Sequence, residues 1–196
     1  MKLHIYIETG ISRERRNKKQ YTNEWYFVRD FLRHLYPNIK EEEDFEIIDV
    51  GGKDKLAMFD NQMREATRNN EKNLVIFDCD FVATGGGLEN RRKNFEDMKR
   101  SLGVDFDYFL FPNNQDEGAF EDMLLHIINP AHKGIMDCFV RYEQCMAKRN
   151  EEMGGACYNL PNVKAKIYTY ITSFKRSNKE TENVKGGEWD FMNTEY

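Results

Sequence analysis

The sequence predicts an α/β fold: a mostly parallel, four-stranded sheet with helices on both faces, followed by C-terminal helices. Two observations predict it. Short apolar runs alternate regularly with stretches of helical period from Lys2 to Ile128, the order that builds parallel sheets from βαβ units. One of those runs, Leu74-Val75-Ile76-Phe77, is wholly apolar and ends abruptly in Asp78-Cys79-Asp80. Such a run reads as a strand buried on both faces. Its acids then lie at the carboxyl edge of the sheet, where open α/β folds bind their ligands.

The elements follow in order. Lys2–Glu8 alternates Leu3, Ile5 and Ile7 and is a first strand. Ile11–Gln20 holds Arg13, Arg15, Arg16, Lys18 and Lys19 without apolar period and is expected to be a loop, either solvated or a phosphate-contacting arm. Thr22 caps a helix reaching about Tyr36, with Trp25, Val28, Leu32 and Leu35 on one face and Pro37 ending it. Phe45–Val50 is a second strand, closed by Gly51-Gly52, and Asp54–Asn69 is a helix buried through Leu56, Phe59, Met63 and Ala66. The central strand, Leu74–Cys79, is followed by a loop containing Gly85-Gly86-Gly87, which matches neither a dinucleotide fingerprint nor a P-loop. Leu88–Leu102 is a third helix and Tyr108–Phe111 a fourth strand. After the polar turn Asn113–Gly118 comes a helix, Ala119–Ile128. Residues 1–130 therefore form the α/β domain. Residues 131–196 form a helical extension on it, with helices over Lys133–Arg149 and Val163–Phe174. The segment from about residue 177 is polar and expected to be mobile, and Trp189 and Phe191 are expected to dock back or meet a partner.

Composition narrows the function classes. The 196 residues carry a net charge of -5, so any nucleic-acid binding must rest on local basic patches. No run is long enough to span a bilayer and the N-terminus lacks a signal peptide's pattern, so no membrane partner is expected. Cys79, Cys138, Cys145 and Cys157 form no CxxC pair and, with His126 and His132, match no common zinc spacing. They read as reduced thiols of a cytoplasmic protein.

Right-handed crossovers would bring the ends of all four strands to one edge: Glu8, Gly51-Gly52, Asp78 and Asp80, and Asn113-Asn114. Two carboxylates at i and i+2 repel unless a cation lies between them, and magnesium prefers such oxygens. The alternative is that either Asp simply begins a turn. Arg91, Arg92 and Lys93 lie in the first turns of their helix, where the dipole disfavours them; they serve a ligand or are ordinary surface charge. Glu121 and Asp122 open the next helix as caps or as site residues.

The strand ending in Glu8, the later Asp78-x-Asp80 and the βαβαβαβ order together resemble the Toprim domain, a Rossmann-like fold shared by topoisomerases, primases and OLD-type nucleases. Leu110-Phe111-Pro112-Asn113-Asn114 through Gly118-Ala119-Phe120-Glu121-Asp122, with Gly51-Gly52-Lys53, is similar to the signature of an uncharacterised bacterial Toprim-like family. The resemblance implies magnesium (or manganese) held by Asp78 and Asp80. It implies a Glu8 that supports the metal or manages a proton, and nuclease-like or nucleotidyl chemistry on nucleic acid or nucleotide. Lys53, Arg91, Arg92, Arg15 and Arg16 would supply positive charge toward phosphate, and Glu117 and Glu121 would complete a second metal position. The sequence departs from the Toprim pattern after Glu8, where a basic insertion replaces the usual downstream acid; Glu24 is the candidate substitute.

Two other readings stay open. Phe77-Asp78-Cys79-Asp80 also resembles the first motif of haloacid dehalogenase-type phosphatases, with Asp78 as nucleophile and Asp80 as acid/base. A Toprim-like module that binds nucleotide, nucleic acid or a partner without cutting is the non-enzymatic alternative.

Overall fold

β-Branched and aromatic residues at strand period set the sheet. The computed structural model describes residues 1–15, 18–155, 157–174 and 189–193, with the backbone alone for residues 13–15 and 18. It divides into two units, Met1–Met123 and Leu124–Tyr196.

The first unit runs β1 (Leu3–Ile7), β2 (Ile11–Arg15), β3 (Lys18–Tyr21), α1 (Asn23–Leu35), β4 (Phe45–Asp49), α2 (Asp60–Arg68), β5 (Lys72–Asp78), α3 (Leu88–Leu102), β6 (Asp107–Phe111) and the start of α4 (Phe120–His126). The main sheet is four-stranded in the order β4-β1-β5-β6, and every pairing is parallel. β4 lies on one side of β1 and β5 on the other, so the chain reverses its direction across the sheet at β1 and β5. The expected α/β architecture is thus present at this level.

The two faces are closed by different elements. Tyr6, Val75, Phe77 and Leu110 point to one face and pack with Leu56, Met63 and Phe95 from the segments leading through α2 and α3. On the other, Phe120 meets Phe27 of α1 and Phe111 of β6 at ring separations of 5.3 and 5.1 Å. The strand buried on both faces is β1, whose His4, Ile5, Tyr6 and Ile7 are all buried. β5, expected in that role, instead alternates: Val75 and Phe77 are buried and Leu74, Ile76 and Asp78 half-buried. Both strands are inner ones; an apolar run alone does not tell which inner strand is more deeply covered.

Three further expectations are revised. Ile11–Arg15 and Lys18–Tyr21 pair as antiparallel strands, β2 and β3, where a loop was expected. Charge masked the strand signal, because a run of Arg, Lys and Glu shows no apolar alternation. The helix expected from Asp54 begins as a 3₁₀ segment, Lys53–Phe59, before α2. The Leu35 end of the α1 stripe is exposed, although Thr22 caps the helix as expected, accepting from the Trp25 amide at 3.3 Å.

The second unit is helical. α5 (Lys133–Glu152) and α6 (Val163–Thr172) are tied by Lys166 and Glu143 at 3.0 Å. Trp189 docks within this unit: it bridges to Ile128 and its ring lies 5.4 Å from Tyr170. The polar segment expected to be mobile, 177–187, lies outside the described residues. Among the described residues no helix is long and apolar enough to cross a membrane.

Phe77 is 1% exposed and meets Phe95 edge-on at 5.9 Å. Phe77→Ala should therefore cost about 3–5 kcal/mol in urea denaturation. A loss below about 1 kcal/mol would show that this face is not close-packed.

Candidate functional site

The reversal at β1 and β5 creates a crevice at the carboxyl edge of the sheet, the place where such folds bind ligands. Glu8 follows β1 directly and Asp78 is the last residue of β5. α1 enters from the hairpin with Glu24 in its first turn, and α4 starts with Phe120 and Glu121. Four carboxyl groups from four elements thus share one electrostatic neighbourhood.

Their surroundings show it. Burial pushes the Asp78 carboxyl from 3.8 up to about 7, with Glu8, Glu121 and Asp80 adding to the shift. The Phe120 amide opposes it, donating to Asp78 Oδ1 at 2.8 Å. Burial also raises Glu24 well above the usual carboxylate range, followed by the charges of Asp78, Glu8 and Glu121; the Thr9 backbone opposes this through a hydrogen bond. Glu8 is raised by burial and by Asp80 and Asp54, against the opposing charges of Arg91 and Lys53. Glu8 Oε2 and Glu24 Oε1 are buried and have no hydrogen-bond partner. Glu24 as a whole keeps some exposure; it is the Oε1 end that is sealed in.

Asp80 is held differently. Its backbone adopts a left-handed conformation, φ 58°, which Asp tolerates better than most residues. A reciprocal bridge to Gly118 fixes it: the Asp80 N–H donates to the Gly118 carbonyl at 2.8 Å, and the Asp80 carbonyl accepts from the Gly118 N–H at 3.3 Å. Gly86 presses against the same turn: a Cβ there would lie 2.3 Å from Asp80 Cβ and 2.8 Å from the Cys79 carbonyl oxygen. Asp80 Oδ2 accepts from Lys53 Nζ at 3.3 Å and from the Arg91 guanidinium. Arg91 is 8% exposed and its Nε finds no partner. Between the two acids of the motif, Cys79 points into the core, and burial raises its thiol. It is a packing residue, not a reactive one.

Glu8, Asp78, Asp80, Glu121, Lys53 and Arg91 are therefore brought to one edge. Arg92 is spent at the end of β6 instead: it donates to the Asn114 carbonyl at 2.7 Å and pairs with Glu89. Glu117 is exposed and accepts from the Val82 amide at 3.0 Å, holding the loop after Asp80. Asp122 accepts from the Ala119 amide at 2.8 Å, a capping role. Asn113 and Asn114 shape the turn after β6 through bonds to the Gln115, Asp116 and Leu110 amides. Arg15 lies in β2 without a described side chain, and Arg16 lies outside the described residues. Glu24, the candidate substitute for the missing downstream acid, joins the group from the first turn of α1. Among the described residues no group of three or more His, Cys, Asp or Glu side chains is arranged to hold a metal ion.

The chain matches, over residues 22–194, the family described as protein of unknown function DUF3226. It belongs to that family. The DUF3226 match takes in Glu24, Lys53, Asp78, Asp80, Arg91 and Glu121, and starts after Glu8 and the hairpin. No curated protein and no solved structure matches the chain.

The raised carboxyls make stability depend on pH. Well below its ordinary value of 3.8, Asp78 is protonated in folded and unfolded chains alike. Between there and about pH 7 the folded chain keeps protons that the unfolded chain has released. Stability then falls as pH rises through this window. In chelator-treated protein, urea denaturation should give lower stability at pH 8 than at pH 5. Asp78→Asn should remove roughly 2–3 kcal/mol of that difference. Equal pH dependence in the variant and the parent would contradict the crowding of Asp78.

Proposed function

We propose that the chain is a Toprim-like protein that carries out divalent-cation-dependent phosphodiester chemistry, nuclease-like or nucleotidyl, on nucleic acid or nucleotide. The observation that carries this reading is the convergence of Glu8, Glu24, Asp78 and Glu121 at the crevice, with two buried carboxylate oxygens lacking any partner. An all-oxygen, anionic donor set fits magnesium or manganese. Glu8, Glu24 and Asp78 would hold the ion, with Asp80 beside them, after side-chain rotation. The ion would neutralise charge growing on phosphate oxygens and activate the attacking oxygen. Lys53 and Arg91, gathered on Asp80, would face the phosphate as donors. Glu8, whose carboxyl burial raises above its usual range, would be the group that manages a proton.

The engagement of Asp80 by Lys53 and Arg91 favours a second reading, a module that binds phosphate without cutting. Two measurements separate them. Calorimetry with manganese should show binding that is lost in Asp78→Ala and weakened at least tenfold in Asp80→Ala. Cleavage of single-stranded DNA, duplex DNA or RNA with manganese should fall at least a hundredfold in Asp80→Ala. Metal affinity unchanged in both variants would sink the site. Metal binding without cleavage of any substrate would leave the binding module. A trapped aspartyl-phosphate on Asp78 would instead point to phosphatase chemistry.

A further inference from the structure

The β2–β3 hairpin is the most concentrated positive charge in the chain. Between Ile11 and Tyr21 there are five basic residues and one acid, in a protein of net charge -5. The pairing register is Arg13 with Gln20, Glu14 with Lys19 and Arg15 with Lys18. Residues paired across a ribbon share a face, and next neighbours alternate faces. One face position set is therefore Glu14 and Lys19, an opposite-charge pair of the kind that stabilises hairpins. The other is Arg13, Arg15, Lys18 and Gln20: three cations, no acid, and two like charges directly opposite each other. Such a pair costs stability, and a two-stranded ribbon has little to spare. A polyanion lying along that face would offset the cost.

The root of the ribbon is anchored to the first unit. The Thr22 amide donates to the Gly10 carbonyl at 2.9 Å and Thr22 Oγ1 to the Thr9 carbonyl at 2.7 Å. The Gly10 amide donates to Asp49 Oδ1 at 2.7 Å, and the Tyr21 ring stacks on Trp25 at 4.0 Å. The ribbon thus rises from the short stretch between Glu8 and Glu24, two acids of the crevice. The acidic net charge does not cancel it at a distance, because at 0.1 M salt fields are screened beyond about 10 Å.

We propose that the β2–β3 hairpin is a nucleic-acid-binding arm that lays its Arg13–Arg15–Lys18 face along the phosphate backbone and leads the strand to the acidic crevice. The assignment rests on the phosphodiester reading above and narrows its substrate from nucleotide to polymer. A two-stranded ribbon also has the width of the duplex major groove, so duplex is the expected form.

The test is fluorescence anisotropy in chelator, where no cleavage occurs, with a labelled duplex DNA, the matching single strand, the matching RNA and a labelled nucleotide. The parent should bind the duplex and not the nucleotide. The triple variant Arg13→Gln, Arg15→Gln, Lys18→Gln should bind at least tenfold more weakly at 0.1 M salt. Its slope of log affinity against log salt should be shallower by about two to three. Lys19→Gln, on the neutral face, should lose less than threefold. The single Arg15→Gln variant should lower the slope by about one, which keeps the test valid if the triple variant folds poorly. No binding by the parent, or equal affinity and slope in parent and charge variants, would overturn the proposal. Tighter binding of the single strand or RNA with the same variant losses would keep the arm and change its ligand. Binding that follows these expectations, without any manganese-dependent cleavage, would retire the phosphodiester reading and leave the arm.

Discussion

The constraint that organises this protein is like charge gathered at the ends of two adjacent inner strands. Parallel pairing of β1 and β5 brings Glu8 and Asp78 to the same edge, and burial removes the water that would screen them. A shift of the Asp78 carboxyl from 3.8 to about 7 corresponds to roughly 4 kcal/mol of unfavourable charging. That is a large fraction of the net stability of an ordinary domain. The fold carries this load with aromatic packing on both faces of the sheet and with one backbone donor, the Phe120 amide, set on Asp78. Phe120 serves both purposes, since its ring closes the α1 face while its N–H addresses the acid.

The two acids of the Asp-Cys-Asp motif have separated roles. Asp78 belongs to the crowded carboxyl group, whereas Asp80 gathers positive charge from Lys53 and Arg91. The separation comes from backbone geometry. Asp78 ends a regular strand, while Asp80 sits in a left-handed turn pinned by Gly118 and backed by Gly86. Arg91 reaches Asp80 from a buried position on α3, which explains why a basic residue is tolerated in a first helical turn. Its local carboxylate partner offsets the unfavourable helix dipole.

Much of the first unit was legible in the sequence because burial imposes period. α1, α3 and the four main strands follow from their apolar spacing, and Thr22 and Pro37 mark the ends of α1 as their chemistry dictates. The hairpin was not legible, since a ribbon of Arg, Lys and Glu has no apolar face to betray it. At the crevice, Glu8, Asp78 and Asp80 could be placed from strand ends alone. The roles of Arg92, Glu117 and Asp122 could not, because each is spent on a backbone group or neighbour whose position depends on tertiary geometry. Glu24 shows the converse: a carboxylate in a first helical turn usually reads as dipole compensation, and only the neighbouring strand ends reveal it as a member of the cluster.

β1 pairs with β4 on one side and β5 on the other, and the sheet order gives β4 no second neighbour. A chain beginning at residue 22, where the family match begins, would lack the partition between them. Among the described residues β4 would lose the ladder it makes in the sheet, and β5 would become an edge, presenting unpaired amides and carbonyls beside exposed apolar side chains. Such an edge is a template for pairing with other chains. β1 therefore both completes the sheet and keeps the β5 edge covered.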